Sequence, residues 1–294
     1  MRRFTILTAL FLFIMPFHIE AKEQEVYVAI GDSLAAGQTP YSQIDAGYTD
    51  FIALQLQRHG KLAHFTKELS FPGYRVGNVL ESVQSEKADA LLQDATLITI
   101  SAGANNLLPL LSYNANAGTL AFSQLSADFA LNEVRIQMRE LLELVHEKAP
   151  DAKIYVMGYY FPYVSIHEEQ VEGAEASLNL LNQILQQEAK QAGAHFVDVY
   201  DAFNEQAQTY LSNLSDIHPN QQGYRLMANV MLAQYSGNTS LEMQKEAMPQ
   251  PNPLTFEEIL SLKNGEINNK PTASYEYETT TPILNHNKPQ PLPV

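Results

Sequence analysis

The sequence predicts a three-layer α/β/α sandwich built on a mostly parallel five-stranded sheet. Five short apolar runs, at residues 26–30, 64–69, 97–100, 154–157 and 196–199, are separated by longer stretches of helical periodicity. Three of these runs are nearly continuous in Val, Ile, Leu, Tyr or Met, as strands buried on both faces read, which favours parallel pairing. Strand–helix alternation of this kind implies right-handed crossovers, with ligands bound at the carboxyl ends of the strands.

The helical stretches follow from their stripes. Leu131, Val134, Met138, Leu141, Leu142 and Val145 share one face, and Ala174, Leu178, Leu181 and Leu185 share another. A third stripe follows Gly223, through Tyr224, Met227, Met231 and Tyr235. This body covers residues 22–235 and shows no internal repeat.

Both ends of the chain differ in character. Arg2 and Arg3 precede an uncharged, mostly apolar stretch at residues 4–19, shorter than the roughly 20 residues that span a bilayer. Ile19-Glu20-Ala21 is an acceptable cleavage site, so residues 1–21 read as a signal peptide cut after Ala21, and the protein as secreted. Residues 236–294 hold eight of the 15 prolines together with polar runs such as Thr279-Thr280-Thr281, and read as a mostly disordered tail. Phe256, Ile259 and Leu260 share a face in one short helical stretch there, which is suited to docking on the body or on the cell envelope.

Composition removes several functions. The chain has 294 residues, no Cys, 45% hydrophobic and 17% charged residues, and a net charge of −15. That excludes a disulfide-stapled miniprotein, a zinc-thiolate site and cysteine catalysis, and it is unlike a wholly disordered chain. Excess negative charge repels nucleic-acid backbones and anionic membranes, so neutral or cationic partners are expected and nucleic acid is not. No histidine pair stands at metal-ligand helical spacing, and no metal or organic cofactor is expected.

The residues after the runs carry the chemistry. The first run ends in Gly31-Asp32-Ser33-Leu34, which puts a serine at a strand-to-helix turn, its hydroxyl exposed and backbone N–H groups facing an anion. Ser70-Phe71-Pro72-Gly73 follows the second run and Gly103-Ala104-Asn105-Asn106 the third. Asp216-Ile217-His218-Pro219-Asn220 precedes the last helix. In that order the four blocks resemble those of the GDSL or SGNH hydrolases, a family of esterases, lipases and carbohydrate deacetylases with a flavodoxin-like fold. The resemblance spans essentially the whole body. It implies Ser33 as nucleophile, His218 as base, and an oxyanion hole formed by the N–H groups of Ser33 and Gly73 and the side-chain amide of Asn105.

The residue types suit that chemistry. A serine hydroxyl is a poor nucleophile at neutral pH and needs an adjacent base, for which imidazole is best matched. Charge that grows on a carbonyl oxygen under attack is stabilised by donors already aimed at it. Two positions depart from the family pattern. The family usually has Asp-x-x-His, whereas Ser215 stands three before His218 and Asp216 two before. Asp216 is taken as the acid, with Asp198, Asp201 or a backbone carbonyl as alternatives. Asn106 replaces an Asp that organises the loop in the family. Asp32, for its part, is expected to hold the turn through backbone hydrogen bonds.

Substrate choice stays open at this level. Residues 107–131, rich in Leu, Ala and Ser, suit an acyl chain, while Tyr159-Tyr160-Phe161-Pro162-Tyr163 suits sugar rings. The expected partner is therefore a small-molecule, lipid or acylated-carbohydrate ester, cleaved through an acyl-serine intermediate. A non-catalytic, envelope-associated binding protein that retains the fold is the alternative.

Overall fold

The computed structural model describes residues 24–249. The signal-peptide reading and the short helical stretch of the tail lie outside them. Among the described residues no helix is long and apolar enough to cross a membrane.

The sheet has five strands, β1 (Glu25–Gly31), β2 (Leu62–Ser70), β3 (Leu97–Ser101), β6 (Lys153–Met157) and β7 (His195–Val197), in the order β2-β1-β3-β6-β7. All pairings in it are parallel. The continuous runs are the central strands: Val28, Ala29 and Ile30 of β1 and Leu97, Ile98 and Ile100 of β3 are wholly buried. Strand β7 stops at Val197, and Val199 turns instead into a short helix as its buried cap.

Helices cover both faces. The chain leaves β1 through α1 (Ser33–Ala36) and α2 (Tyr48–Arg58) to reach β2, then returns through α3 (Val76–Val83) and α4 (Glu86–Leu92) to β3. Right-handed crossovers place these two connections on opposite faces. After β3 come α5 (Ala104–Leu107), a 3₁₀ turn at Leu108–Leu110, and an antiparallel hairpin of β4 (Ser112–Asn114) and β5 (Thr119–Ala121). The long α6 (Gln124–Lys148) and α7 (Glu168–Gln191) then lie with α3 on one face. Beyond β7, α8 (Tyr200–Asn204) and α9 (Ala207–Tyr210) lead to α10 (Gln221–Ser236), which packs on α2 on the other face.

Each predicted stripe faces the core. Leu131, Val134, Met138, Leu141, Leu142 and Val145 of α6 are buried, as are Leu181 and Leu185 of α7 and Met227 and Met231 of α10. Residues 107–131, marked in the sequence as suiting an acyl chain, are the end of α5, the 3₁₀ turn, the hairpin and the start of α6. Ser123 caps α6 by accepting from the Ser126 N–H, so the helix begins ahead of the first stripe residue.

The body also runs past the Tyr235 boundary set by composition. Leu241 and Met243 are buried, Gln55 on α2 donates to the Leu241 carbonyl at 2.9 Å, and Asn229 on α10 exchanges hydrogen bonds with the Met243 backbone. Arg58 donates to the Ala247 carbonyl at 2.9 Å. Residues 237–248 thus close over the α2–α10 layer, because two apolar side chains among polar neighbours suffice to anchor a short segment.

Candidate active site

Chain direction changes at β1: the first crossover moves to β2 and the second returns to β3 on the other side. A crevice therefore opens between the carboxyl ends of β1 and β3, where loops leave the sheet in opposite directions. Ser33 follows β1 and Asn105 follows β3, so the topology alone brings these two blocks together.

The turn after β1 is held by close packing. Gly31 has φ +147°, and a Cβ there would stand 2.2 Å from the Ser101 carbonyl oxygen, so only glycine fits. Asp32 then donates its N–H to that same carbonyl at 2.9 Å and caps α1, its carboxylate accepting from the Leu34 N–H at 3.0 Å. Ser33 is the first residue of α1, where an N–H precedes the first intrahelical acceptor.

Asp32 does more than hold the turn. Its carboxylate also accepts from the Ser101 hydroxyl at 2.8 Å and the Tyr159 hydroxyl at 2.6 Å. Burial pushes its pKa up, against the pull of those hydrogen bonds and of His218. Tyr159 is fixed in turn by Asn182 on α7, whose amide pairs with both the N–H and the carbonyl of Tyr159. The sequence marks Tyr159 only as part of a wall, since nothing in an aromatic run shows where a hydroxyl points.

His218 reaches Ser33 from the far end of the chain. Its Nε2 lies 2.8 Å from Ser33 Oγ, and its Nδ1 lies 2.7 Å from Asp216 Oδ1. The shortened spacing works because Asp216 forms a tight Asx turn: the same Oδ1 accepts the His218 backbone N–H at 2.8 Å and so bends back beneath the ring. Burial resists ionisation of Asp216, but the hydrogen bond from the His218 ring, its charge and the N–H groups of His218 and Ile217 together hold the carboxyl below the usual range. Of the alternative acids, Asp198 is exposed and accepts from the Tyr200 N–H at the start of α8, and Asp201 is exposed on that helix.

The loop bearing Asp216 is tied down from three sides. Tyr113 of β4 donates to the Leu214 carbonyl at 2.6 Å, Tyr160 to the Ile217 carbonyl at 2.7 Å, and Asn213 to the Pro40 carbonyl at 2.9 Å. The hairpin, which the sequence does not reveal, thus supports the Asp216 loop.

Of the other two expected donors, Asn105 lines the same cavity as Ser33. Asn105 lies inside α5 and caps nothing: its Nδ2 donates to the Tyr74 carbonyl at 2.9 Å, leaving its other hydrogen. Gly73 has φ +82° in the turn between Phe71, whose N–H donates to the Gly31 carbonyl, and Tyr74. That turn is therefore pinned to β1 at one end and to Asn105 at the other. Asn106 is buried and accepts the Val76 N–H at 3.1 Å, tying the β3 turn to α3 as a loop organiser would.

A narrow cavity of about 80 Å³ opens beside Ser33 and Asn105. Its walls come from both segments marked in the sequence: Leu107, Leu108, Leu110 and Leu111 on one side, and residues 159–163 on the other, with Leu178 and Leu181 of α7 between. Tyr159 and Tyr160 line it with their hydroxyls engaged by Asp32 and by the Ile217 carbonyl.

Residues 29–226 match the model of the GDSL-like lipase/acylhydrolase family. The chain belongs to that family. It is a carboxylic-ester hydrolase of the GDSL type. It is 25% identical over 217 residues to the uncharacterised protein YpmR of Bacillus subtilis strain 168, a match covering 71% of this chain and 80% of that one. Among solved structures it is similar to the lipase Lip_vut3 from a goat rumen metagenome, with TM-score 0.59 and 19% identity over 74% of this chain and 99% of the other. It is also similar to a point mutant of Axe2, an acetyl-xylooligosaccharide esterase from Geobacillus, with TM-score 0.54 and 20% identity over 71% and 93% of the two chains. At such identities these likenesses show the shared fold.

Proposed function

We propose that this GDSL hydrolase is an exported serine esterase that cleaves esters of apolar acyl groups through an acyl-Ser33 intermediate. The observation that carries the reading is the unbroken line from Asp216 through the His218 ring to Ser33 Oγ, ending beside the apolar cavity.

Each step follows from that line. His218 Nε2 takes the Ser33 proton as Oγ attacks the ester carbonyl, while Asp216, held ionised, fixes the ring with Nδ1–H towards it and stabilises the imidazolium. Negative charge on the carbonyl oxygen meets the N–H groups of Ser33 and Gly73 and the free amide hydrogen of Asn105. Collapse passes the proton from Nε2 to the departing alkoxide. Water then enters and attacks the acyl carbon as it loses a proton to His218 Nε2, which returns that proton to Ser33 Oγ as the Oγ–acyl bond breaks and the carboxylic acid leaves.

The cavity favours an apolar acyl group over an acetylated sugar. A saccharide needs hydroxyl partners along the wall, and the Tyr159 and Tyr160 hydroxyls are already committed within the protein. A series of p-nitrophenyl esters tests both parts: butyrate and longer chains should turn over faster than acetate, and Ser33→Ala should lower kcat by at least about 10³-fold. Equal turnover by wild type and variant would leave only a non-catalytic binding protein. Export rests on Arg2, Arg3 and the apolar stretch at residues 4–19. Amino-terminal sequencing of material collected outside the cell should begin at Lys22; an intact Met1 on a cytoplasmic product would refute it.

A further inference from the structure

Helix α6 carries three large apolar side chains on its otherwise polar outer side, with Asn132 among them. Its inner stripe is buried, yet its outer side carries Leu125 at 68% exposure, Phe129 at 71% and Ile136 at 50%. Residues 125, 129 and 136 recur at helical spacing, so they form one face. Phe129 and Ile136 line an open groove of about 640 Å³ together with Leu110 of the 3₁₀ turn. Leu110 is also a wall of the cavity beside Ser33. The exposed face is therefore continuous with the route into the active site.

We propose that this face of α6 docks on the surface of aggregated, uncharged or zwitterionic lipid, from which the scissile ester is drawn past Leu110. The inference deepens the proposed function and rests on it. An ester whose acyl group fits an apolar cavity is poorly soluble and is met mostly at an aggregate surface, and the apolar ground bordering the mouth is what such a surface touches first. Charge selects the lipid. Arg75 and Glu133 border the groove as one cation and one acid, and the chain as a whole carries −15, so the described residues that line the groove offer anionic headgroups no basic cluster. Residues that close the body at 237–248 lie on the opposite, α2–α10 layer, so the chain leaves the described body on the side away from this face.

The test uses the full chain and a Leu125→Ser/Phe129→Ser/Ile136→Ser variant, with Phe129→Ser alone as a milder second. None of these residues lines the cavity beside Ser33. Wild type should float with phosphatidylcholine vesicles, less so when phosphatidylglycerol is mixed in. The triple variant should lose at least about tenfold of vesicle binding and of turnover on emulsified ester, while hydrolysing dissolved p-nitrophenyl butyrate within about twofold of wild type. Wild type that stays free of vesicles, a variant that floats equally well, or a wild-type dimer that the variant dissociates would overturn the proposal; the last would put a second copy on the face. Failure of both proteins on dissolved butyrate would instead strike the esterase reading, since flotation is read without turnover.

Discussion

Two aspartates stand beside the Ser33–His218 pair and are treated in opposite ways. Asp32 is wholly buried, with neutral donors from Leu34, Ser101 and Tyr159 around its carboxylate, and its pKa is raised. Asp216 keeps part of its side chain in solvent, shares a hydrogen bond with the His218 ring, and its pKa is lowered. Desolvation is the leading influence on both, so depth of burial and the hydrogen-bond partner together separate them. An imidazole that can carry charge compensates for burial, whereas neutral hydroxyls and an N–H compensate only in part. Pairs of carboxyls driven apart in this way take different roles in a site: in the proposed mechanism Asp216 orients His218, while Asp32 holds the turn that carries Ser33.

The largest test of that division is Asp216→Asn. The amide keeps the turn's shape but loses the charge opposite the imidazolium and can hold the ring in the wrong tautomer, so kcat should fall by about 10⁴-fold with little change in KM. Asp198→Asn, made in parallel, should leave kcat unchanged, because Asp198 is spent on the start of α8. Comparable losses in the two variants would dissolve the distinction drawn here between Asp216 and its alternatives.

Tyr159→Phe probes the other carboxylate. Removing the hydroxyl leaves a buried Asp32 oxygen short of a donor, which costs about 1.5–3 kcal/mol for a hydrogen bond to a charged group. Urea unfolding should show that loss as a lower midpoint at unchanged slope. A variant as stable as wild type would mean that water replaces the hydroxyl and that Tyr159 is merely a wall.

How far the sequence discloses these features depends on their range. Continuous burial of β1 and β3 is local and legible at once, as are the stripes on α6, α7 and α10. Helix α2 is equally local, with Tyr48, Phe51, Ile52 and Leu56 on one buried face at helical spacing. The β4–β5 hairpin was not legible, since strands of three residues are too short to display a period. At the site, Ser33, His218 and Asn105 stand in blocks whose order the resemblance fixes. The reach of Asp216 depended on an Asx turn that the spacing does not reveal, and the Asp32–Tyr159 contact joins residues 127 apart. Packing of Leu241 and Met243 was masked by the proline-rich composition that follows them.

The smallest expected effect is a slope, and it gives the comparison a sign. Asp32 binds its proton more tightly in the folded chain than in the unfolded one, because its folded pKa is raised. Its contribution to stability is therefore complete in acid and is lost as pH climbs from the ordinary carboxylate range through the raised value, at no more than about 1.4 kcal/mol per pH unit for one proton. Asp216 runs the other way: its lowered pKa gives stability above the ordinary carboxylate value that disappears as pH falls through the folded one. Asp32→Asn isolates the first trend. Its carbonyl can still accept from Leu34 and Ser101, and the Tyr159 hydroxyl can rotate to accept from the new amide, so the fold should persist. Unfolding free energies measured from acid to neutral pH should rise more steeply, or fall less, in the variant than in wild type. Parallel profiles would show that Asp32 does not titrate on folding, and the opposition between the two carboxyls would then reduce to Asp216 alone.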